Sequence, residues 1–196
     1  MYEIRKHKSD IREYHLAARR EMTAEKRTEL DEKICRAVLA SATYRYADTI
    51  LMYYAKEDEV NINHVAWEAV KAGKKVAFPK TNPDDRSMVF RFVTSEDDFE
   101  DGALGLREPK DTLPAFEVTG ELQSSVICII PAVVYDKKGF RIGYGGGYYD
   151  RYLSSFKGTK VGVEYYDFIV GEVPHGRFDL AVDVIISEKG IYPKKS

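Results

Sequence analysis

Val126-Ile127-Cys128-Ile129-Ile130, followed at once by Pro131 and a glycine-rich loop, is the stretch that decides the fold. Five apolar residues without a polar break read as a strand buried on both faces, the habit of parallel sheets. The loop then runs Gly139-Phe140-Arg141-Ile142-Gly143-Tyr144-Gly145-Gly146-Gly147-Tyr148-Tyr149-Asp150-Arg151, and a helix is expected from about 148 to 156.

Outward from this centre the same alternation recurs. Thr49 to Ala55 is a second apolar run, followed by a helix with Ile62, Ala66, Ala69 and Val70 inward that ends at Gly73. Lys75 to Pro79 and Met88 to Val93 read as further strands, the first stopped by its proline, and Glu96 to Asp101 as an acidic turn or short helix. Lys160 to Tyr165 and Ala181 to Ser187 add two strands. Two helices precede them all: a surface-lying one with Ile4, Ile11 and Leu16, and one capped by Thr23 with Leu30, Ile34, Ala37 and Val38 on one face. Strands alternating with helices define the α/β class, a three-layer Rossmann-like fold with a mainly parallel sheet and helices on both faces. No repeat or linker divides residues 1–196, so a single domain is expected.

Composition narrows the function. Thirty basic against thirty-two acidic residues leave a net charge of -2, with no surplus for binding duplex nucleic acid. The longest apolar stretch, Val126 to Tyr135, is half a membrane span and contains Pro131, and the N-terminus has no apolar signal core. Cys35 and Cys128 sit in apolar surroundings and read as buried free thiols, which suits the cytoplasm. His7, His15, His64 and His175 are scattered without metal-binding spacing, and no Ser-His-Asp or Cys-His nucleophile set stands out.

The loop carries the chemistry. Gly143, Gly145, Gly146 and Gly147 would cost conformational entropy unless close backbone approach is needed. Bare amides opening into a helix make an anion site, and Arg141 and Arg151 can add charge-assisted bonds to phosphate. The loop lacks the Lys-Ser/Thr of a P-loop, and Tyr148 stands where the dinucleotide fingerprint needs glycine. A phosphate or nucleotide loop is the functional reading; a tyrosine-packed hairpin is its structural rival. Asp150, in the first turn of the helix, suits the helix dipole and equally a Mg2+ ion that takes one or two carboxylates beside phosphates. Asp179 and Asp183, bracketing the start of the last strand, are candidates for the second carboxylate. Ligands of open parallel sheets sit beyond the strands' carboxyl ends, which selects the loops 56–61, 131–147 and the turn after Tyr165.

The string Gly139 to Arg151 resembles the signature of the 5-formyltetrahydrofolate cyclo-ligase family, the methenyltetrahydrofolate synthetases. Lys8 with Arg12, Glu57-Asp58-Glu59-Val60, Phe78-Pro79-Lys80, Gly105-Leu106-Arg107-Glu108-Pro109 and Asp179-Leu180-Ala181-Val182-Asp183 are similar to family strings in the same order, so the likeness spans almost the whole chain. It implies an enzyme that uses ATP and Mg2+ to cyclise 5-formyltetrahydrofolate to 5,10-methenyltetrahydrofolate, with ADP and phosphate released. Arg141 would be catalytic. Lys8, Arg12, Arg141, Ile142, Gly143, Tyr144, Gly145, Gly146, Gly147, Tyr148 and Tyr149 would bind ATP; the four-residue spacing of Lys8 and Arg12 puts both on one helical face. Tyr54, Glu59, Tyr144, Gly145, Gly146, Gly147 and Tyr148 would line the folate side, and Asp150 and Asp183 would hold the metal. The small molecules formylfolate and ATP are the implied partners, with no nucleic acid, no membrane and a monomeric state. Leu104 departs from the aromatic residue many relatives carry there, and animal members differ at the positions of Tyr144 and Gly146. The rival readings are a catalytically silent folate- or nucleotide-binding relative and a Rossmann-like enzyme acting on phosphorylated sugars.

Overall fold

A computed structural model describes residues 2–102, 105–118 and 123–193. Leu104, the departure from the family pattern, lies outside the described residues.

Seven strands form the central sheet in the order β12-β11-β9-β6-β1-β2-β3. At its middle β6 (Val126–Ile130) lies between β1 (Thr49–Leu51) and β9 (Thr159–Val163), parallel to both. The parallel set continues outward to β2 (Lys75–Asn82) and β11 (Val184–Ser187). The two edges, β3 (Ser87–Val93) and β12 (Gly190–Pro193), are antiparallel hairpin partners.

Successive residues of the inner strands point to opposite faces, and both faces are covered. Ile50, Val76, Ile127, Ile129, Val161 and Ile186 join one core with Leu30, Ile34 and Val38 of α2 (Ala24–Ala40) and Val65, Ala66 and Ala69 of α4 (Asn63–Lys71). Leu51, Ala77, Cys128, Ile130 and Ile185 join the other, with Leu153 of α5 (Tyr148–Leu153), Phe156 and Tyr135. This is the three-layer arrangement that the unbroken apolar runs predict. Thr23 caps α2 as expected, its hydroxyl accepting from the Lys26 N–H at 3.2 Å.

Some local expectations are corrected. The strand expected from Thr49 to Ala55 ends at Leu51, with a last bond from the Met52 N–H to the Ala77 carbonyl at 2.9 Å, because the chain then leaves the sheet to form a loop over its carboxyl end. Pro79 does not stop β2. Past Ala77 the strand pairs with β3 alone, so the missing proline N–H faces no partner strand and the hairpin continues to Asn82. A short helix, α3 (Ala42–Tyr46), is capped by Ser41, and the acidic stretch forms a 3-10 turn (Glu96–Asp98) leading into the β4–β5 hairpin (Phe99–Asp101 and Arg107–Pro109). A second small sheet, β10-β7-β8, pairs Val134–Asp136 with Arg141–Ile142 and Ile169–Val170.

Helix α1 (Tyr2–Arg20) is largely exposed, yet its basic side chains reach the body of the protein. Lys8 pairs with Asp179, Arg12 with the Gly143 carbonyl, and the buried Arg19 with backbone and carboxylate at the sheet's carboxyl end.

Candidate active site

A cleft of about 780 Å³ opens over the carboxyl ends of β1, β2 and β6. Its size suits a small-molecule ligand. Two of the three loops selected by the parallel-sheet rule line it, through Lys56 and Glu59 and through Pro131 and residues 141–150. The third does not. Glu164 and Tyr165 turn inward beneath α1, and Asp179, from the loop before β11, takes the place expected of that turn.

One wall is the glycine loop. Its left-handed residues, Gly145 at φ 99° and Gly147 at φ 74°, need glycine, and Gly147 occupies the N-cap of α5. Arg12 lies across the loop, its Nε donating to the Gly143 carbonyl at 2.6 Å, with its guanidinium 3.6 Å from where a Gly145 Cβ would stand. Arg141 is buried at the loop's base, donating to Asp150 at 2.8 Å and to the Leu180 carbonyl at 2.9 Å. Lys8 pairs with Asp179 at 2.6 Å. Burial works against the Asp179 carboxylate, but the Gly176 N–H and Lys8 hold it below the ordinary range. Ile142 and Tyr149 stand behind these groups; the buried Tyr149 hydroxyl has no hydrogen-bond partner among the described residues, and burial drives its pKa well above the ordinary phenol value.

The opposite wall is aromatic and acidic. Tyr54 rests on Phe78 and Phe99, with ring centroids 6.1 and 5.1 Å away. Glu59 is 7% exposed and accepts from the Lys56 N–H at 2.9 Å; burial raises its carboxyl above the glutamate norm. The Lys56 ammonium sits 5.2 Å above the Tyr144 ring, so one contact joins the two walls. Arg5, Arg86 and Arg107 add to Lys8, Arg12, Lys56 and Arg141 along the lining, against Glu59, Glu108, Asp150 and Asp179. The cleft is therefore cationic in a protein of nearly balanced charge, which suits an anionic ligand.

Nearly all the residues singled out in the sequence converge here: Lys8, Arg12, Tyr54, Glu59, Arg141, residues 142–149 and Asp150 all line the cleft. Arg151, expected beside Arg141 as a phosphate cation, is one exception: it is exposed and off the lining, with its Nη1 directed at the Arg86 carbonyl at 3.5 Å. Asp183 is the other. It precedes β11 at the amino end of the sheet, where its carboxylate accepts from the Lys160 N–H at 2.8 Å and pairs with that residue's ammonium at 3.1 Å. Asp179, its alternative, faces the cleft instead. Glu108, which no charge or spacing pattern in the sequence marks as a site residue, also lines the cleft; it is 1% exposed and accepts from the Thr81 N–H and hydroxyl. The Gly-Leu-Arg-Glu-Pro string was the available signal for it. Arg86 had none: it reaches the cleft from the β2–β3 turn in a left-handed conformation at φ 58°.

Fold and site define an α/β enzyme-like frame with a cationic, glycine-walled cleft at a parallel sheet's carboxyl ends. Comparison with known proteins makes this specific. The profile of the 5-formyltetrahydrofolate cyclo-ligase family matches residues 4–188, and the chain belongs to that family, whose named members are ligases. It is 24% identical to a probable 5-formyltetrahydrofolate cyclo-ligase of Caenorhabditis elegans, with 96% of each chain covered. It is also 24% identical to the Escherichia coli K12 5-formyltetrahydrofolate cyclo-ligase, over 89% of this chain and 96% of the relative. An NMR structure of the Aquifex aeolicus 5,10-methenyltetrahydrofolate synthetase superposes with a TM-score of 0.82 at 27% identity, covering 96% of this chain and 93% of that one. A Mycoplasma pneumoniae synthetase structure shares the fold with a TM-score of 0.72 at 24% identity, over 92% of this chain and 98% of that one.

Proposed function

We propose that this protein uses ATP and Mg2+ to close 5-formyltetrahydrofolate into 5,10-methenyltetrahydrofolate, releasing ADP and phosphate. The observation that carries this reading is the pairing, across one cleft, of a cationic glycine wall with an aromatic wall bearing a buried carboxylate. The first suits a triphosphate. The second suits a flat heterocycle whose amino and ring N–H groups form a paired donor edge for Glu59.

The formyl oxygen is a poor leaving group, so direct attack by N10 stalls. In the proposed sequence that oxygen attacks the γ-phosphorus of ATP and ADP departs. N10 then attacks the formyl carbon, loses its proton, and the oxygen leaves as phosphate. Phosphoryl transfer asks a protein for alignment and charge neutralisation more than for covalent chemistry. Lys8, Arg12 and Arg141 supply cations, the 143–147 backbone supplies amides, and Tyr54 and Glu59 orient the pterin against them.

A magnesium ion fits the donor set. Asp150 and Asp179 both line the cleft, two carboxylates beside the proposed phosphate wall. That matches an ion bound by one or two carboxylates with phosphates completing its shell. Asp150 and Asp179 are accordingly the proposed holders, in place of Asp183. The ion, when bound, would neutralise phosphate charge.

The test is near-ultraviolet absorbance after mixing the purified protein with 5-formyltetrahydrofolate and Mg-ATP. The methenyl chromophore should rise only when ATP and Mg2+ are both present, and a folded protein giving no rise would refute the reading. Arg141→Ala should lower turnover by ~10²- to 10³-fold, as loss of a charge-stabilising donor does. Near-normal turnover of the variant would remove Arg141 from its catalytic role.

A further inference from the structure

We infer that Arg19 is a positioning residue for the folate half of the cleft, holding the Glu59 loop at a fixed distance from the glycine-loop hairpin. Its role rests on the proposed function above.

Arg19 is 1% exposed and does not line the cleft. Its Nη1 donates to the Asp58 carbonyl at 2.8 Å, one residue before Glu59. Its Nη2 donates to the Ala132 and Val133 carbonyls at 3.0 and 2.9 Å. The same backbone leads into the other wall, since the Val133 N–H donates to the Ile142 carbonyl at 2.8 Å. A single planar guanidinium therefore bridges the loop carrying Glu59 and the hairpin carrying Arg141 to Gly147.

Glu164, fully buried, sits behind the fork with its carboxylate against Nη2, whose two hydrogens are shared between that carboxylate and the two carbonyls; Oε1 also accepts from the Tyr165 N–H. The Phe168 ring lies 5.0 Å from the guanidinium carbon and the Tyr165 ring 5.8 Å. Such an enclosure fixes the plane of the guanidinium.

Stability alone is a weak reason for this arrangement. A buried ion pair often does no better than apolar residues of the same volume. What an apolar replacement cannot do is satisfy the Asp58, Ala132 and Val133 carbonyls, which lie in two separate loops outside any strand ladder. Lysine could keep the charge and the pair with Glu164, but it lacks the rigid fork that reaches both loops at once.

Arg19→Lys separates these roles. It should raise KM for 5-formyltetrahydrofolate ~10- to 100-fold, the scale of losing a charge-assisted hydrogen bond. KM for ATP and kcat should stay within about threefold, because Lys8, Arg12 and Arg141 are untouched. Amide hydrogen exchange should rise in 56–60 and 131–134 relative to α2, with or without ligands. Equal rises in both KM values, a fall in kcat alone, or unchanged exchange in those loops would overturn the inference. If Arg19→Lys fails to fold, the near-isosteric Glu164→Gln, which frees the guanidinium from its backing, must show the same split at smaller size. A wild-type protein that makes no methenyl product refutes the proposed function instead; the loop exchange of the variant still decides whether Arg19 fixes the two walls.

Discussion

Burial holds the Glu59 carboxyl above the ordinary glutamate range, with the Lys56 N–H, Lys56 and Arg19 only partly offsetting it. A carboxyl whose folded-state pKa is raised favours folding while protonated. That contribution is complete below the unfolded value of about 4.3 and is lost as pH rises through the folded value. At neutral pH the ionised group therefore opposes folding, a cost that the proposed contact with the pterin would explain. Glu59→Gln should raise the Tm at pH 7, and the difference from wild type should vanish below about pH 4. The same change should raise KM for the formylfolate ~10- to 100-fold, since a charged acceptor of two donors becomes a neutral group with one acceptor. In the wild type, formylfolate KM should climb as pH falls through a value above the glutamate norm. A variant no more stable at pH 7, or with unchanged KM, would separate Glu59 from the pterin. Its burial was not legible in the sequence, where Glu59 looks like a solvated loop acid; only the return of the loop beneath Tyr144 and Arg19 encloses it.

At the scale of elements, the glycine loop is the feature most fully readable from the chain. Glycine density announced close approach and unusual backbone, and Gly145 and Gly147 adopt left-handed conformations. At Gly147 a Cβ would meet only the Arg151 guanidinium, at 3.8 Å, so the cost of a side chain is backbone strain and not collision. Gly147→Ala should therefore lose about 1–2 kcal/mol of stability and raise KM for ATP, read by thermal denaturation and initial rates. Gly143, with open space and no left-handed φ, provides the comparison: Gly143→Ala should leave the Tm within a degree or two. Equal destabilisation by both would show that strain is not what reserves position 147 for glycine. Element boundaries were less legible. Pro79 reads as a strand terminator, and only its place beyond the last pairing with β1 makes it harmless.

At the scale of the whole molecule, α1 joins parts of the cleft that the rest of the chain holds apart. Its apolar attachment is thin, with Ile11 and Ala18 only partly buried against the core, while Lys8, Arg12 and Arg19 tie it to Asp179, the glycine loop and the sheet's carboxyl end. A triphosphate would give Lys8 and Arg12 further anions. Saturating Mg-ATP should slow hydrogen exchange across residues 2–20 more than across α2, and should raise global stability by about 2.7 kcal/mol at a hundred times Kd. Uniform protection, or none in α1, would place the nucleotide elsewhere. By itself the sequence determined the layered α/β class, because unbroken apolar runs and one-sided helices leave few ways to be buried. It also determined the glycine loop's unusual backbone, because glycine spacing is a local property. Only the tertiary structure decided which acids face the cleft. Asp179 and Asp183 are four residues apart and chemically alike, but one lies in a loop packed on Lys8 and the other at the amino end of a strand beside Lys160. Arg19 was hidden for the same reason: on a charged helix it looks like any exposed arginine, and its partners come from three segments far along the chain. Local chemistry is written in neighbouring residues, whereas burial and charge pairing depend on contacts that form only when distant segments meet.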